Sequence, residues 1–538
     1  METIPYTYPT NLPVSEPFRS QSISNFAAIL QKEYEATTTI EDRKINGHFG
    51  TPVAVAEFMA LLFKEIPSGK IRLLDAGAGV GILTAAVCDR IASFGEPRTV
   101  QAVLYEKEPA LIPFLHETML RAKNVLNKQG HGFEYRIYNE DFILSNSPCG
   151  NDLFTGDNSV SGPFDMVIMN PPYGKILKDS PHARVMGHVI HGQPNIYALF
   201  MAIGAQLLRR GGKIVAITPR SYCNGLYFRD FRKWFFDRIT PYHIHLFESR
   251  TDTFKENGVL QENIILAGIR GKKHDSVIVT TSKGRDLHCV DRSSVSMSEL
   301  IDDTKGDRIV RIAGNDLDRR IAKIVDSWPS RFQDMGFKIS TGPVVTFRAL
   351  EYIIRERDNS DSVPLLSMHN IRPFETIWPS KRSEKDFYFK VCDNSMPLLL
   401  PVKDYVILKR FTAKEEKRRL VAGIFWAEKF PFPYIGLENH LNYVRKIQGN
   451  LFDAETYGLA ALFNSVLLDR YFRTINGNTQ VNAADIRTLP LPPLEKICAI
   501  GESLKKLTNL NPSEVEDLIL DHLGINGEIK DYLKDTAS

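Results

Sequence analysis

The stretch Ile71-Arg72-Leu73-Leu74-Asp75-Ala76-Gly77-Ala78-Gly79-Val80-Gly81 predicts a short apolar strand that runs directly into a glycine-rich turn. Glycine tolerates positive φ and carries no Cβ, so such a turn brings main-chain atoms close to a ligand. A helix is predicted directly after the turn, over residues 82–91, and a helix N-terminus attracts negative charge. Taken alone, the stretch also fits a bare tight turn or a dinucleotide site, so the neighbouring motifs must identify the ligand.

Strands and helices alternate throughout the first half of the chain. Further strands are predicted at residues 100–105, 135–138, 164–169, 213–218 and 264–267, and further helices at residues 110–126 and 195–210. This alternation predicts an α/β fold with a doubly wound, mostly parallel sheet. In such sheets the ligand sites lie at the carboxyl ends of the strands.

The helix predicted over residues 195–210 has a signal at each end. Asn195 can cap its first turn and Gly211-Gly212 can end it. Apolar residues recur between them at helical spacing, namely Ile196, Leu199, Phe200, Ile203 and Leu207. We expect this helix to pack on the sheet beside Asn170.

Polar residues follow the successive strand ends. Glu106 follows the second strand, where a carboxylate can accept both hydroxyls of a ribose. Asp141 follows the third strand and can accept from an adenine amino group, while Phe142 covers the ring face. A solvated surface acid explains either carboxylate alone. Chance is a much poorer explanation for polar residues in this order at four successive strand ends, namely Asp75, Glu106, Asp141 and Asn170.

The fourth of these ends carries the segment Asn170-Pro171-Pro172-Tyr173. The amide oxygen of Asn170 is a hydrogen-bond acceptor, and the rigid Pro171-Pro172 pair lets a main-chain carbonyl converge on the same amino group. Tyr173 supplies an aromatic face on which a base can stack. Together with the glycine-rich turn, this segment predicts methyl transfer to a planar amino nitrogen.

Length and composition predict two large units. The chain has 538 residues, of which 43% are hydrophobic, and this length exceeds the size at which single cores usually split. The strand–helix alternation stops after about residue 290, and proline and aromatic residues become frequent. We expect an N-terminal extension over residues 1–45, a first domain over 46–303, a mixed α+β domain over 304–493 and a helical C-terminal tail over 494–538.

Several classes of protein are disfavoured by the composition. No apolar run approaches the roughly 20 residues that span a bilayer, and the N-terminus lacks the plan of a signal peptide. The six cysteines are scattered without a Cys-x-x-Cys pair, which favours free thiols and no metal site. A net charge of +3 neither requires nor excludes nucleic acid. We expect a soluble intracellular protein that does not bind membranes.

Taken in order, the motifs resemble the class I S-adenosylmethionine-dependent DNA methyltransferases that modify adenine N6. The order is that of the γ arrangement of type II restriction–modification systems, and it is similar to enzymes of the PstI and BsuBI kind. The segment His48-Phe49-Gly50-Thr51-Pro52 looks like the N-terminal motif of this family. The likeness is specific over residues 45–270 and looser over 305–495, where residues 340–345, 476–482 and 489–493 are similar to phrases of γ-class target-recognition domains.

The resemblance implies a Rossmann-like catalytic domain and a C-terminal target-recognition domain. It implies that S-adenosylmethionine is the cofactor, with its methionine end against Thr51 and Pro52. The implied cofactor-binding residues are Thr51, Pro52, Asp75, Gly77, Gly79, Gly81, Glu106, Asp141, Phe142 and Asn170. No metal and no covalent intermediate are required.

The resemblance also implies the roles of the residues that act on the target base. Asn170 and the carbonyl of Pro171 accept the two amino hydrogens of adenine, Pro172 keeps this turn rigid, and Tyr173 stacks on the base. The base has to leave the duplex stack to reach them. Phe254 matches the second aromatic residue of the family, although an ordinary buried Phe ahead of a strand explains it equally well.

Double-stranded DNA is the implied partner, and a separate restriction endonuclease is the implied functional counterpart. A basic stretch can contact phosphates or form a solvated charged face: Lys409, Arg410, Lys414, Lys417, Arg418 and Arg419. Residues 476–482 can read base edges or close their own turns, and Arg348 and His369 are similarly ambiguous. We expect a monomer in the cytoplasm of a bacterial or archaeal cell, because each methylation event needs one active site.

Three alternatives remain open. Methyltransferases of release-factor glutamine or of RNA guanine share Asn-Pro-Pro-Tyr, but a protein-glutamine enzyme needs no large recognition domain. A non-catalytic DNA-binding specificity protein is disfavoured by the intact Asp75, Glu106, Asn170 and Tyr173. A fused nuclease is disfavoured because the N-terminal extension is short and no convincing Pro-Asp and Glu-x-Lys pair is found.

Overall fold

The computed structural model describes residues 22–39, 50–146, 163–177, 179–187, 189, 195–247, 263–282, 287, 290–303, 306–357, 361–380, 386–412, 416–476, 480–507 and 510–537. It contains two compact units, Met1–Gly314 and Asn315–Ser538. The division falls after Gly314, whereas the sequence places it after residue 303. The strand Ile309–Val310 pairs with Ile301–Asp302, and this pairing holds the intervening segment in the first unit. The functional limits of the domains stay predictions.

The first unit alternates helices and strands. Its helices are α1 Ile23–Thr37, α2 Val53–Leu61, α3 Ile82–Ala92, α4 Ile112–Lys128, α5 Phe142–Asn146, α6 Pro181–Val185, α7 Ile196–Leu207, α8 Arg229–Arg238 and α9 Met297–Leu300. Its strands are β1 Gly69–Ala76, β2 Arg98–Tyr105, β3 Gly132–Tyr138, β4 Phe164–Met169, β5 Leu208–Pro219, β6 Ile239–Phe247, β7 Asn263–Arg270, β8 Ser276–Ser282, β9 Val290–Ser296, β10 Ile301–Asp302 and β11 Ile309–Val310.

Nine of these strands form one sheet in the order β3-β2-β1-β4-β5-β7-β6-β8-β9. The pairs β3–β2, β2–β1, β1–β4, β4–β5 and β6–β8 are parallel. The pairs β5–β7, β7–β6 and β8–β9 are antiparallel. The predicted α/β fold with a mostly parallel sheet is therefore confirmed.

The two faces of this sheet are covered by different helices. Along β1, Leu73 belongs to a core with residues of α1 to α4, and its neighbour Leu74 belongs to a second core with residues of α7 and α8. Successive side chains of a strand point to opposite faces, so an apolar run buries both faces at once. The strands are therefore continuous apolar runs, as a doubly wound sheet requires.

Helix α7 packs on β4 as predicted, but its ends differ from the prediction. A Cβ on Gly204 would lie 2.6 Å from Cε of Met169, so this glycine permits the close approach. Asn195 stands at the N-cap but makes no side-chain capping hydrogen bond, and the helix ends at Leu207 rather than at residue 210. The predicted role of Gly211-Gly212 as a helix end was wrong. These glycines belong to β5, where the register against β4 shifts and a Cβ on Gly212 would lie 2.9 Å from the carbonyl oxygen of Phe164.

The second unit is a mixed α+β structure. Its strands are β12 Phe337–Thr341, β13 Ile353–Ile354, β14 Ser362–Leu366, β15 Ile371–Arg372, β16 Glu375–Thr376, β17 Phe387–Lys390, β18 Leu399–Pro401, β19 Tyr405–Lys409, β20 Ala422–Phe425, β21 Tyr434–Leu437 and β22 Leu441–Lys446. Its helices are α10 Asp316–Asp326, α11 Asp453–Asn464, α12 Val466–Ile475, α13 Ala483–Arg487, α14 Leu494–Leu504, α15 Pro512–Leu523 and α16 Glu528–Ala537.

The strands of this unit form small sheets, in the orders β12-β22-β19-β20, β13-β17-β14-β21-β18 and β15-β16. Helices α14 to α16, which make up the predicted tail, contribute Ile497, Ile519 and Leu533 to the same core as α11 and α12. The end of the chain is thus part of the second unit's core. Of the helices that the structure describes, none has the length and apolar character needed to cross a membrane.

Candidate active site

The cleft of interest lies at the carboxyl ends of the parallel strands. In the pairing of β1 with its neighbours, Ala76 is opposite Tyr105 and Asp75 is opposite Ile168, so the residues after β1, β2 and β4 meet at one edge. The cleft there holds about 960 Å³ of empty space. Its wall includes Gln31, Tyr34, Gly50, Thr51, Gly77, Gly79, Tyr105, Glu106, Lys107, Leu111, Glu140, Asp141, Phe142, Asn170, Pro172, Ile196 and Phe200.

The glycine-rich turn forms one side of this cleft. The amides of Gly77 and Ala78 both donate to the carbonyl of Tyr105 at 2.9 Å, which fastens the turn to β2. Gly77 has a φ of 76°, and a Cβ there would lie 3.6 Å from the ring of Phe200 and 3.9 Å from the carbonyl oxygen of Asn170. The missing side chain of Gly77 therefore leaves open the space in front of Asn170.

Asp75 lies beneath the turn and is fully buried. Its Oδ2 accepts from the Thr84 hydroxyl at 2.7 Å and from the Thr84 amide at 3.3 Å. Burial raises the pKa of Asp75 to about 7, although the bonds from Thr84 lower it, and the nearby Glu106 charge adds to the rise. Its Oδ1 has no hydrogen-bond partner among the described residues. Asp75 thus ties β1 to α3 and does not line the cleft.

Glu106 stands at the end of β2 with a side chain that is almost fully buried. Its Oε2 accepts from the Gly79 amide at 2.8 Å, and its Oε1 accepts from the Glu108 amide at 2.8 Å. Each carboxylate oxygen has two lone pairs, so both can still accept from a ligand hydroxyl. Glu106 therefore shapes the glycine-rich turn and faces the cleft at the same time.

Asp141 and Phe142 follow β3 and lie across the cleft from the turn. Asp141 Oδ2 pairs with Nε2 of His182 at 2.9 Å, and its Oδ1 accepts from the amides of Ile143 and Leu144. Burial alone raises the pKa of Asp141, but these hydrogen bonds and the His182 charge outweigh it and hold the pKa below its ordinary value. The Phe142 ring lies 5.1 Å from that of Phe200, which gives the cleft an apolar wall beside an ionised carboxylate.

Asn170 follows β4, and its side chain is held from both sides. Its Nδ2 donates to Thr51 Oγ1 at 3.0 Å, and its Oδ1 accepts from the Tyr173 hydroxyl at 2.9 Å. Thr51 is buried just ahead of α2. The amide plane of Asn170 is therefore fixed by groups of the protein itself.

The side chain of Tyr173 is half-buried, so it does not present a fully exposed face for stacking. Its ring meets that of Tyr197 edge to face with centroids 6.4 Å apart. Burial raises the pKa of Tyr173, and the nearby Tyr197 adds to the rise, so its hydroxyl stays protonated and able to donate to Asn170. The expected stacking role of Tyr173 stays a prediction.

The structure brings together most of the residues that the sequence singled out. Thr51, Gly77, Gly79, Glu106, Asp141, Phe142, Asn170 and Pro172 line one cleft. The wall of the cleft does not include Pro52, Asp75, Gly81, Pro171 or Tyr173. Gly81 packs under α4, where a Cβ would lie 2.8 Å from Cδ1 of Leu115. Phe254 and the residues His48 and Phe49 lie outside the described residues.

Sequence reasoning missed the part of the wall that comes from α1 and α7. Gln31 and Tyr34 belong to a segment that the sequence assigned to an extension. The signal that this segment packs on the first unit was the helical spacing of its apolar residues. These residues, Ile23, Ala27, Leu30 and Tyr34, are all buried. Ile196 and Phe200 were recognised only as core residues of their helix. Among the described residues, no group of three or more His, Cys, Asp or Glu could hold a metal ion.

Two members of the basic stretch of the second unit, Arg410 and Arg419, are engaged within the protein. Arg419 is buried and bonds Thr412 Oγ1 and Asn476 Oδ1, and Arg410 donates to the carbonyl of Asn439 and to Gln480. Lys414 lies outside the described residues. Asn476 and Asn482 both donate to Asp485 Oδ2, so these two amides close their own loop. Among the described members of this group, Lys409 is the one that lines a second cleft, together with His369.

The first unit has the architecture of the class I methyltransferase fold, as the sequence predicted. A solved structure of the type IIL restriction–modification enzyme MmeI in complex with DNA has the same fold, with a TM-score of 0.53 at 11% identity. The likeness covers 97% of this chain and 77% of that one.

Sequence comparisons identify the family. The family described as Eco57I restriction-modification methylase matches residues 106–254. The type II methyltransferase M.PstI of Providencia stuartii is 34% identical over 466 residues, which cover 86% of this chain and 90% of that protein. The type II methyltransferase M.BsuBI of Bacillus subtilis is 32% identical over 485 residues, which cover 89% and 95%. The chain therefore belongs to the type II restriction–modification DNA methyltransferases, and the resemblance seen in the motifs is confirmed.

Proposed function

We propose that the protein transfers the methyl group of S-adenosylmethionine to N6 of an adenine that has been flipped out of duplex DNA. The observation that carries this proposal is the placement of Asn170. Its amide oxygen, an acceptor for an amino group, shares a cleft wall with Gly77, Glu106 and Phe142. An acceptor at that position serves an amino nitrogen, whereas a carbon target needs no such group.

The residues of the cleft fit S-adenosylmethionine. Glu106 has lone pairs left for ribose hydroxyls, and the ionised Asp141 beside the Phe142 ring suits an adenine. The space that Gly77 leaves open, next to Thr51 and Asn170, suits the methionine end. When bound, S-adenosylmethionine supplies a methyl group on a positively charged sulfur. The protein itself then has to align the amino group and polarise it.

Asn170 and the carbonyl of Pro171 perform this alignment in our proposal. Each accepts one hydrogen of the adenine amino group, which draws the nitrogen away from the ring plane and frees its lone pair. Well-aligned reactants can gain about 7 kcal/mol or more over the same reaction in solution. The contacts of Asn170 with Thr51 and Tyr173 support this role, because they hold the acceptor in place.

Base flipping follows from the position of the acceptor. A cleft wall at a strand end cannot reach an amino group inside a stacked duplex, so the base has to turn out at a cost of a few kcal/mol. Tyr173, which adjoins Asn170, then stacks on the extruded adenine. Because the Tyr173 hydroxyl donates to Asn170 Oδ1, the amino group of the target adenine shares or displaces this bond.

The biological role that we infer is the protection of host DNA from a separate restriction endonuclease. Membership of the type II family supports it, and DNA as the substrate is in keeping with the MmeI structure, which was solved in complex with DNA. The second unit serves as the target-recognition domain. We infer a monomer that acts in the cytoplasm of a bacterial or archaeal cell, where the host DNA is.

The test is transfer of labelled methyl from S-adenosylmethionine to unmethylated duplex DNA, followed by nucleoside analysis. N6-methyladenine made by the wild type and reduced on the order of 100-fold or more in Asn170→Ala is the expected result, by analogy with the loss of one polar group that stabilises a transition state. Asn124→Ala, on the exposed side of α4, is the matched control. Label in cytosine, or none in DNA despite cofactor binding, would overturn the proposal.

A further inference from the structure

The second unit has a cleft that the catalytic proposal does not use. It is open and holds about 1720 Å³ of empty space. Its walls come from the loops at the ends of β14, β19 and β21 and from the β15–β16 hairpin: Ser367, Met368, His369, Arg372, Glu375, Ile377, Ser380, Lys409, Phe411, Glu416 and Glu438. We call it the Arg372 cleft. All of these residues belong to the second unit.

The hairpin that carries Arg372 is seated firmly. Arg372 pairs with Glu375 across the hairpin, and the amide of Phe374 at its tip donates to the carbonyl of Ala422 at 2.8 Å. A Cβ on Gly423 would lie 2.5 Å from the carbonyl oxygen of Glu375 and 3.0 Å from that of Arg372. The hairpin therefore lies directly on β20, and the Arg372 and Glu375 side chains are presented from a fixed backbone.

Two cations, Lys409 and Arg372, lie close to each other in this cleft. Burial lowers the pKa of Lys409 at the end of β19, and the charge of Arg372 lowers it further, while Glu416 raises it. Neither Lys409 nor Arg372 makes an ion pair or a side-chain hydrogen bond in the part of the chain that the structure describes. Arg372 is exposed and Lys409 is half-buried, so both cations can donate to acceptors on a ligand that enters the cleft.

Another loop of the cleft carries a carboxylate, Glu438, whose backbone is also held in place. The amide of Glu438 donates to the carbonyl of Leu366 at 3.0 Å, and that of Asn439 donates to Val344. Gly342 has no room for a Cβ because the carbonyl oxygen of Glu438 lies against it. Burial raises the pKa of Glu438, although His440, 3.5 Å away, lowers it. Glu438 is thus a half-buried acceptor in a fixed place.

His369, in contrast, has both ring nitrogens engaged within the protein. Its Nδ1 lies 2.5 Å from Ser367 Oγ, and its Nε2 lies 3.0 Å from Asp386 Oδ1. Asp386 in turn accepts from Asn370 Nδ2 and from the Ser380 amide. His369 therefore acts as a rigid wall, and the other charged residues of the cleft can contact a ligand: Arg372, Glu375, Lys409, Glu416 and Glu438.

We propose that the Arg372 cleft reads a G·C base pair of the target duplex through the major groove. Arg372 and Lys409 donate to O6 and N7 of guanine, and Glu438 accepts from the exocyclic amino group of cytosine. This inference depends on one part of the proposed function, namely that the substrate is duplex DNA. Cations beside a carboxylate match the edge of a G·C pair, which presents acceptors next to a donor. A phosphate site is disfavoured, because Glu375 and Glu438 would repel a phosphate.

The test selects binding sites for the full-length protein from a randomised duplex library and sequences them, so that it does not depend on methyl transfer. For Arg372→Gln, Lys409→Gln and Glu438→Gln we expect lost preference at G·C positions, on the order of 5- to 150-fold in relative binding. Lys338→Gln on the exposed face of β12 is the matched control and keeps the wild-type motif. Unfolding profiles confirm that each variant is folded.

Two outcomes would overturn the inference. One is an unchanged motif in all three cleft variants. The other is weaker binding to every sequence together with a shallower salt dependence, which identifies a phosphate contact. Failure of the proposed function is recognised separately, because a wild type that selects a motif but methylates no adenine leaves the reading of the cleft intact.

Discussion

The side-chain nitrogen of Asn170 donates to the hydroxyl of Thr51, which lies 119 positions earlier in the chain, at 3.0 Å. This bond joins the end of β4 to the residue just ahead of α2. With the Tyr173 hydroxyl on its other side, the Asn170 amide has polar partners for both of its terminal atoms. A rigid acceptor loses little entropy when a substrate binds, so this pairing bears directly on catalysis.

Replacing Thr51 by Val should slow methyl transfer. The shape is kept, but the Asn170 amide nitrogen loses its partner, and an unsatisfied polar group costs about 1–3 kcal/mol. We expect kcat to fall by roughly tenfold or more, with KM for DNA unchanged. Single-turnover kinetics measure this. Thr51→Ser restores the hydroxyl and should restore the rate, and a Ser variant as slow as Val would contradict the role.

The hydroxyl and the ring of Tyr173 can be separated by two substitutions. Tyr173→Phe removes the bond to Asn170 but keeps the ring against Tyr197. We expect it to retain activity within a few-fold, because the target amino group takes the place of the hydroxyl. Tyr173→Ala loses the stacking face, worth about 1–3 kcal/mol per base. Steady-state kcat/KM compares them, and equal losses in both variants would argue against stacking.

Gly77→Ala and Gly79→Ala form a matched pair for the cofactor. Both residues have positive φ, at 76° and 56°, so both substitutions strain the backbone. Only the Cβ on Gly77 meets Phe200 and the Asn170 carbonyl, whereas that on Gly79 meets nothing within 4 Å. We expect Gly77→Ala to weaken S-adenosylmethionine binding on the order of tenfold more, or about 1.4 kcal/mol. Titration calorimetry measures the affinity of each variant for S-adenosylmethionine. An equal loss of affinity in both variants would mean that backbone strain, and not the position of the Cβ, causes the weaker binding.

Two buried histidines should make the first unit sensitive to acid. Burial, aided by Lys64 and Arg292, lowers the pKa of His243 to about 3, and burial with the His243 charge lowers that of His245 to about 3. The unfolded chain takes up these protons below pH 6.5 and the folded one does not, so stability is complete above that pH and falls between pH 6.5 and 3. Each proton contributes up to about 1.4 kcal/mol per pH unit.

Removing one of these groups tests the linkage. In His245→Gln the amide can still bond Thr280 and Ser282, and the drop in Tm between pH 7 and pH 5 should shrink. The exposed His274→Gln controls for the loss of one imidazole. A drop as large as in the wild type would show that His245 is already charged when folded.

The packing of the C-terminal helices can be tested at Gly501. A Cβ there would overlap the carbonyl oxygen of Ala454, and one on Gly458 would overlap that of Ile497, because α11 and α14 cross at these glycines. Gly501→Ala should destabilise the second unit by about 1–3 kcal/mol. The exposed neighbour Glu502→Ala should change it by less than about 0.5 kcal/mol. Denaturant titration measures the stability of both variants. Equal unfolding midpoints for Gly501→Ala and Glu502→Ala would mean that the two helices move apart at little cost.

Local patterns predicted much of the first unit. The strand and helix around Gly77 and the strand at residues 164–169 are where the sequence places them, because apolar runs and glycine turns act over a few residues. The parallel sheet then brings Glu106, Asp141 and Asn170 together, since parallel strands end at one edge.

Other features depended on residues far apart in the chain. In sequence, Gly211 and Gly212 could either end a helix or form a β-bulge. The pairing of β5 with β4 shows that they belong to a strand whose register shifts there. Arg419 and Arg410 look like DNA contacts in sequence, but their partners Asn476 and Gln480 come from a later loop.

The sequence by itself determined the fold class, the order of the motifs and the kind of chemistry, since each depends on residue types at short spacing. Tertiary structure decided which groups are free to act. It gave Asn170 its partner Thr51, buried Asp75 beneath the turn, and placed Arg372 and Lys409 in one cleft. Burial and hydrogen bonding are properties of neighbours in space, and no local pattern encodes them.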